Sequence, residues 1–205
     1  MTRVAHAAWL GSKYALDRPD VERAVGVLRT GGLVVYPTDT LYGLGADATA
    51  ESAVSRVAQL KARGPDQGIS VAVAGLSQIE EWAKVGPAAR NFISSNLPGP
   101  YTVVLRPTDA APRHLVSPQG IAFRMPRHPI SALLTRLFGP LTATSANRHG
   151  GRPPTDVETA QEQLGDAVDL YIDAGPCEVG AASAVVDFTA DRPKVIREGG
   201  LPPRS

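Results

Sequence analysis

Four cations in this chain stand where an apolar segment gives way to a turn. Lys61 and Arg63 flank Ala62 just ahead of Gly64-Pro65-Asp66-Gln67-Gly68, Arg124 closes an apolar run before Met125-Pro126-Arg127-His128-Pro129, and Arg197 follows Val195-Ile196. Hydroxyls and an amide stand at comparable places: Thr38-Asp39-Thr40 ahead of Gly43 and Gly45, Ser145 and Asn147 in the turn TSANRHGG, and Ser183 before an apolar strand. A lysine point charge beside a planar arginine fork suits a polyphosphate. An arginine at a strand edge offers a carboxylate two parallel hydrogen bonds that lysine cannot supply. Taken together, these residues describe a cationic, hydroxyl-rich pocket.

Each signal also has a plainer reading. Lys61 and Arg63 could only offset the C-terminal dipole of a helix. Thr38, Asp39 and Thr40 could only bond their own turn, and Arg124 could be a solvated strand end. His128 reads as a helix cap rather than a base. Gly43 and Gly45 favour a site, because glycine allows close backbone approach or positive φ. Ligands also gather beyond the carboxyl ends of strands in α/β sheets, where Ser145 and Asn147 fall.

Other chemistries lack their motifs. There is no GxxxxGK[ST] loop, no GxGxxG fingerprint and no GxSxG elbow. The four histidines lack metal-ligand spacing with Cys177 or with acids.

The elements that must position these groups follow from periodicity and turn chemistry. Residues 20–29 carry Val21, Ala24, Val25 and Leu28 on one helical face, ending at Gly31-Gly32. Residues 33–36 form an apolar run expected of a strand buried on both faces. A helix over 50–61 follows, with Thr49 as its cap and Lys61 in its last turn. Further helices are expected at 77–84 (a Ser77/Glu80 capping box), 87–95, 130–138 and 156–164 (a Thr155/Glu158 capping box). Strands are expected at 69–73, 101–106, 121–124, 141–143, 168–172, 184–188 and 195–196. The loop at 150–154 is expected to be exposed and mobile, and the tail 199–205 frayed.

At 205 residues, 43% hydrophobic and 20% charged, the chain reads as one domain able to bury about 70% of its extended surface. Twenty-one Lys and Arg against twenty Asp and Glu leave a net charge of +1. No global field draws it to nucleic acid, so any RNA contact would be local. One cysteine excludes an internal disulfide and suits a reducing compartment, giving a cytoplasmic expectation. No stretch reaches the length of a membrane span.

In chain order, PTDTLYGLGADA, KAR, PGPYTVVL, FRMPRHP, TSAN and VIREG resemble the YrdC-like family of threonylcarbamoyl-AMP synthases, over about residues 15–199. The resemblance implies a twisted, open, mixed α/β sheet flanked by helices, with a concave, positively charged cavity, in the single-domain form. It implies a nucleotidyltransferase that joins L-threonine, bicarbonate and ATP into threonylcarbamoyl-AMP and pyrophosphate. Partner transferases would then pass the group to tRNA for t6A modification. Thr38, Arg124 and Ser183 would hold threonine. Lys61, Arg63, Ser145, Asn147 and Arg197 would hold ATP, the first four of them at the reacting centre. Magnesium would come with the phosphates rather than on protein ligands. The chain departs from the family at Gly68-Ile69, where Pro-Leu is usual, and at Ala72, where a histidine is usual. The alternatives are a double-stranded RNA-binding module or a related carbamoyl or nucleotidyl transfer enzyme.

Overall fold

A computed structural model describes residues 3–9, 14–15, 17–62, 64 and 67–201. Two mixed sheets carry the described part of the chain. In the first, Arg3–His6, Leu170–Asp173 and Val34–Tyr36 run parallel, and Gly43–Gly45 and then Thr144–Ser145 add antiparallel strands. In the second, the order is Leu141–Thr142, Val71–Ala72, Ile121–Arg124, Tyr101–Pro107, Ala184–Asp187 and Lys194–Arg197, with Ala83–Lys84 pairing beside Tyr101–Pro107. Ala8–Trp9 and Tyr14–Ala15 form a separate two-stranded antiparallel sheet. The expected mixed α/β architecture is present, divided between sheets rather than spread over one.

Residues 141–145 stitch the sheets together. Leu141–Thr142 pairs with Val71–Ala72 in one, and Thr144–Ser145 pairs with Gly43–Gly45 in the other. Between them, Thr142 donates its hydroxyl to the Leu44 carbonyl at 2.8 Å and accepts from the Ala46 N–H at 2.9 Å. Tyr36 adds a hydrogen bond to the Thr142 carbonyl at 3.0 Å. The single strand expected at 141–143 is therefore two short ones, because consecutive residues change sheets.

Helix Arg18–Arg29 starts at Asp17, whose carboxylate accepts from the Asp20 N–H, and buries Ala24, Val25 and Leu28. With helix Pro129–Leu137 it covers one apolar cluster containing Leu28, Val34, Tyr36, Ile130 and Leu134. Helices Glu51–Leu60, Leu76–Trp82, Pro87–Asn96 and Val157–Leu164 enclose the larger cluster around Tyr42, Val57, Ile79, Phe123 and Tyr171.

Several local expectations are corrected. Thr49 does not cap its helix: its hydroxyl donates to Asp47, and the cap position is Ala50. Asp156 rather than Thr155 caps Val157–Leu164, accepting from the Thr159 N–H at 2.8 Å. The expected helix to residue 84 stops at Trp82 because Ala83–Lys84 is drawn into pairing with Arg106 and Pro107. The loop at 150–154 is pinned: the Tyr42 N–H donates to the Pro154 carbonyl and Gln163 Nε2 to the Arg152 carbonyl, both at 2.9 Å. Gly199 packs against Ala184 rather than fraying, while residues 202–205 lie outside the described part.

Candidate functional site

A small polar cleft, with a cavity volume of about 70 Å³, opens where the two sheets meet. Three strand ends and one turn build its walls, and a cation belongs to each of three corners.

The first corner is Arg124, at the end of a strand flanked on both sides, and 6% exposed. Its Nη2 donates to Asp39 Oδ1 at 3.1 Å and to Thr40 Oγ1 at 2.8 Å. Burial raises the carboxyl pKa of Asp39, and the Arg124 charge opposes that shift. Thr38 is bonded to two lining residues: its hydroxyl donates to the Leu41 carbonyl at 2.6 Å and accepts from the Thr40 N–H at 3.1 Å.

At the second corner the lining residue is Ser145, bonded from behind by Lys61. That lysine ends helix Glu51–Leu60, which turns Ala53, Val54 and Val57 into the core and so carries Lys61 inward to 4% exposure. Its Nζ donates to the Ser145 carbonyl at 2.7 Å and to Asn147 Oδ1 at 2.8 Å, and also reaches the Asn147 carbonyl. Ser145 Oγ donates to Asn147 Oδ1 at 2.7 Å, and Asn147 Nδ2 donates to the Gly151 carbonyl at 2.9 Å. The KAR and TSAN segments thus form one unit. The next residue, Ala62, reverses the chain at φ +48°, a conformation costing a non-glycine residue on the order of 1 kcal/mol. Arg63 lies outside the described residues.

The third corner is Arg197 on Lys194–Arg197, the edge strand of its sheet. Its guanidinium donates to the Ser183 carbonyl through Nε at 3.1 Å and Nη2 at 2.9 Å, and to Ser183 Oγ at 3.1 Å. Ser183 and Thr102 share a 2.8 Å hydroxyl contact. Partial burial lowers the Arg197 pKa, and the positive charge of Arg124 across the cleft adds to that. Two guanidiniums that destabilise each other make the cleft attractive to an anion.

Arg124, Ser145, Ser183 and Arg197 therefore line one hollow, Lys61 and Asn147 are bonded to its wall at Ser145, and Thr38 is bonded to the lining residues Thr40 and Leu41. Tyr42, Ser70 and Thr102 also line the hollow and went unread in the sequence. Thr102 sits in YTVVL, where a threonine is indistinguishable from one chosen for strand propensity. Gly43, expected to allow close backbone approach, does line the cleft, whereas Gly45 has a different reason from the one expected. Neither has positive φ; the Tyr36 ring lies across them, and a Cβ on Gly45 would come within 2.7 Å of Tyr36 Cε1.

His128 does cap helix Pro129–Leu137, accepting from the Ile130 N–H, and burial pushes its pKa down to about 4. Burial pushes the Cys177 thiol up to about 12, leaving it protonated and unsuited to attack. At the departures, Ala72 is buried among Tyr36, Ile130 and Leu141, and Gly68 lies against Ser117. Among the described residues no helix is long and apolar enough to cross a membrane.

The chain is similar to known proteins. The Sua5/YciO/YrdC family model, described as "Telomere recombination", matches residues 26–199. A Mycobacterium tuberculosis relative is 42% identical over 178 residues, covering 86% of this chain and 82% of its own length. The threonylcarbamoyl-AMP synthase of Pyrococcus abyssi is 37% identical over 182 residues, which cover 87% of this chain and 54% of that protein. The crystal structure of P. abyssi Sua5 complexed with L-threonine superposes with a TM-score of 0.90 at 34% identity, over 98% of this chain and 58% of that one. The chain thus spans little more than half of the P. abyssi protein. From the family model and the extent of these identities, the chain belongs to the Sua5/YciO/YrdC family.

Proposed function

We propose that the chain is an L-threonylcarbamoyladenylate synthase, condensing L-threonine, bicarbonate or carbon dioxide, and ATP into threonylcarbamoyl-AMP and pyrophosphate. The observation that carries this reading is the convergence of Arg124 and Arg197 on one cleft with the hydroxyls of Ser145 and Ser183, and the bonding of Lys61 to the Ser145 wall of that cleft. The names of the synthase relatives and the threonine-bound neighbour support it.

In this reading Arg124 binds the threonine carboxylate, with Ser183 and the Thr38 turn beside it. Lys61 and Arg63 grip the phosphates, Ser145 and Asn147 hold the nucleotide near the reacting centre, and Arg197 closes the nucleotide side. The threonine amine takes up carbon dioxide as a carbamate, and a carbamate oxygen attacks the α-phosphate in line, displacing pyrophosphate. Because negative charge is carried by the phosphate oxygens throughout, the protein supplies alignment and fixed positive charge, terms that together reach roughly 8 kcal/mol or more. Magnesium, arriving on the triphosphate, would neutralise the β- and γ-phosphate oxygens. Among the described residues no group of three or more His, Cys, Asp or Glu could hold a metal ion. The product is a mixed anhydride, consumed in turn by a transferase acting on tRNA.

The direct experiment incubates the purified chain with ATP, magnesium, bicarbonate and labelled threonine and seeks the adenylate by mass spectrometry. Its absence, with ATP intact, defeats the proposal. Lys61→Ala should cut threonine-dependent pyrophosphate release by at least about 100-fold, as loss of a charge-stabilising donor does, with the circular dichroism spectrum unchanged. Undiminished turnover would remove Lys61 from the phosphate site.

A further inference from the structure

The turn Thr38-Asp39-Thr40 carries a buried carboxyl group that the reaction outlined above does not use. The Asp39 side chain is 0% exposed and that of Arg124 8%, yet they meet through a single nitrogen, Nη2. The other two atoms that a side-on fork would join, Asp39 Oδ2 and Arg124 Nε, are both buried with no hydrogen-bond partner. A half-made buried ion pair is a poor stabilising device, because the desolvation of both groups is only partly offset. Its geometry is better matched to setting the orientation of the guanidinium.

The flanking hydroxyls act on the same nitrogen. Thr38 Oγ1 donates to the Leu41 carbonyl, which commits its only proton. The 3.0 Å contact between Thr38 Oγ1 and Thr40 Oγ1 is therefore donated by Thr40. With that proton also committed, Thr40 Oγ1 presents a lone pair to Arg124 Nη2. The donors run one way, from guanidinium to Thr40 to Thr38 to the Leu41 carbonyl. Nη2 is thus held by a carboxyl oxygen and an oriented hydroxyl, while no described bond uses Nη1 and Arg124 lines the cleft.

We infer that Asp39 is a positioning residue: with Thr40 it clamps Nη2 of Arg124, so that Nη1 is presented to the cleft at the angle a ligand carboxylate requires. This deepens, and rests on, the proposed binding of an amino acid by Arg124.

The test compares Asp39→Asn, Thr40→Val and Thr40→Ser with the unaltered chain, using ATP, magnesium, bicarbonate and threonine. Asp39→Asn and Thr40→Val should raise the threonine KM at least tenfold while the ATP KM stays within twofold. Thr40→Ser, which keeps the hydroxyl, should stay within threefold on both. Equal rises in the two KM values, or a threonine KM unchanged in Asp39→Asn, would overturn the inference. Should Asp39→Asn fail to fold, the Val and Ser variants at position 40 decide alone: equal threonine KM values for both would overturn it. If the unaltered chain makes no adenylate, the proposed function fails instead. Threonine calorimetry on the same variants then reads the clamp directly, and an unchanged Kd overturns it.

Discussion

Arg124 and Arg197 face the same cleft from strands of opposite character. Arg124 ends Ile121–Arg124, which has Val71–Ala72 on one side and Tyr101–Pro107 on the other, and its guanidinium is bonded by the Asp39 and Thr40 side chains. Arg197 ends an edge strand whose four residues are all exposed, and among the described residues its guanidinium bonds Ser183 alone. The same side chain is thus fixed by the core on one wall and free to adjust on the other. Fixed geometry favours recognition of one small ligand group, whereas an adjustable donor suits a larger ligand that must enter and leave.

The sharpest way to break this contrast is to keep the charge and remove the fork. Arg124→Lys should weaken threonine binding by about 30- to 100-fold, the equivalent of about 2–3 kcal/mol, with ATP affinity little changed. Arg197→Lys should lose less than about tenfold in either ligand. Calorimetry showing equal losses at the two positions would erase the distinction between the walls.

The fixed wall should also be intolerant of added volume. Gly45→Ala would press a methyl group onto the Tyr36 ring, costing about 1–3 kcal/mol in urea unfolding. A second change, Tyr36→Leu, should make that loss smaller; an undiminished loss would locate the strain elsewhere.

Acid should reach the fixed wall through His128, which caps the helix following Arg124. Its folded pKa of about 4 lies below the unfolded value of about 6.5. Between these values the unfolded chain takes up a proton that the folded chain refuses. Stability is therefore retained above about pH 6.5 and falls as pH drops through the window, by about 2 kcal/mol near pH 5. His128→Asn, which keeps a capping acceptor, should flatten that part of a plot of Tm against pH. An identical slope in the variant would place the acid sensitivity in another group.

The smallest effect belongs to the edge. Ile196 is 47% exposed, and Ile196→Thr should change unfolding free energy by no more than about 0.5 kcal/mol. A larger loss would mean that the edge strand is held as firmly as the central one.

Periodicity sufficed for the helices at Arg18–Arg29, Pro87–Asn96 and Pro129–Leu137, because one apolar face repeating every 3.6 residues has few other interpretations. It failed where a partner distant in sequence decides. Ala83–Lys84 leaves its helix for Arg106 and Pro107, and residues 141–145 change sheets midway. Helix caps were misplaced by one residue because Thr49 and Thr155 stand beside acids that form competing hydrogen bonds. Lys61, Arg124, Ser145, Asn147, Ser183 and Arg197 were legible as polar residues placed where apolar segments end. Tyr42, Ser70 and Thr102 were not, since nothing local separates a cleft-lining hydroxyl from one that fills a strand.

The sequence by itself determined which residues could carry charge and hydroxyl chemistry, and which segments had to be buried. Both follow from side-chain type and spacing along the chain. The tertiary structure alone decided that Asp39 and Thr40 spend their polar atoms on Arg124, 84 or more residues away, and that Tyr36 is what requires glycine at 43 and 45. Such pairings depend on the register between strands and on which face each side chain takes. That information exists only once the two sheets are joined.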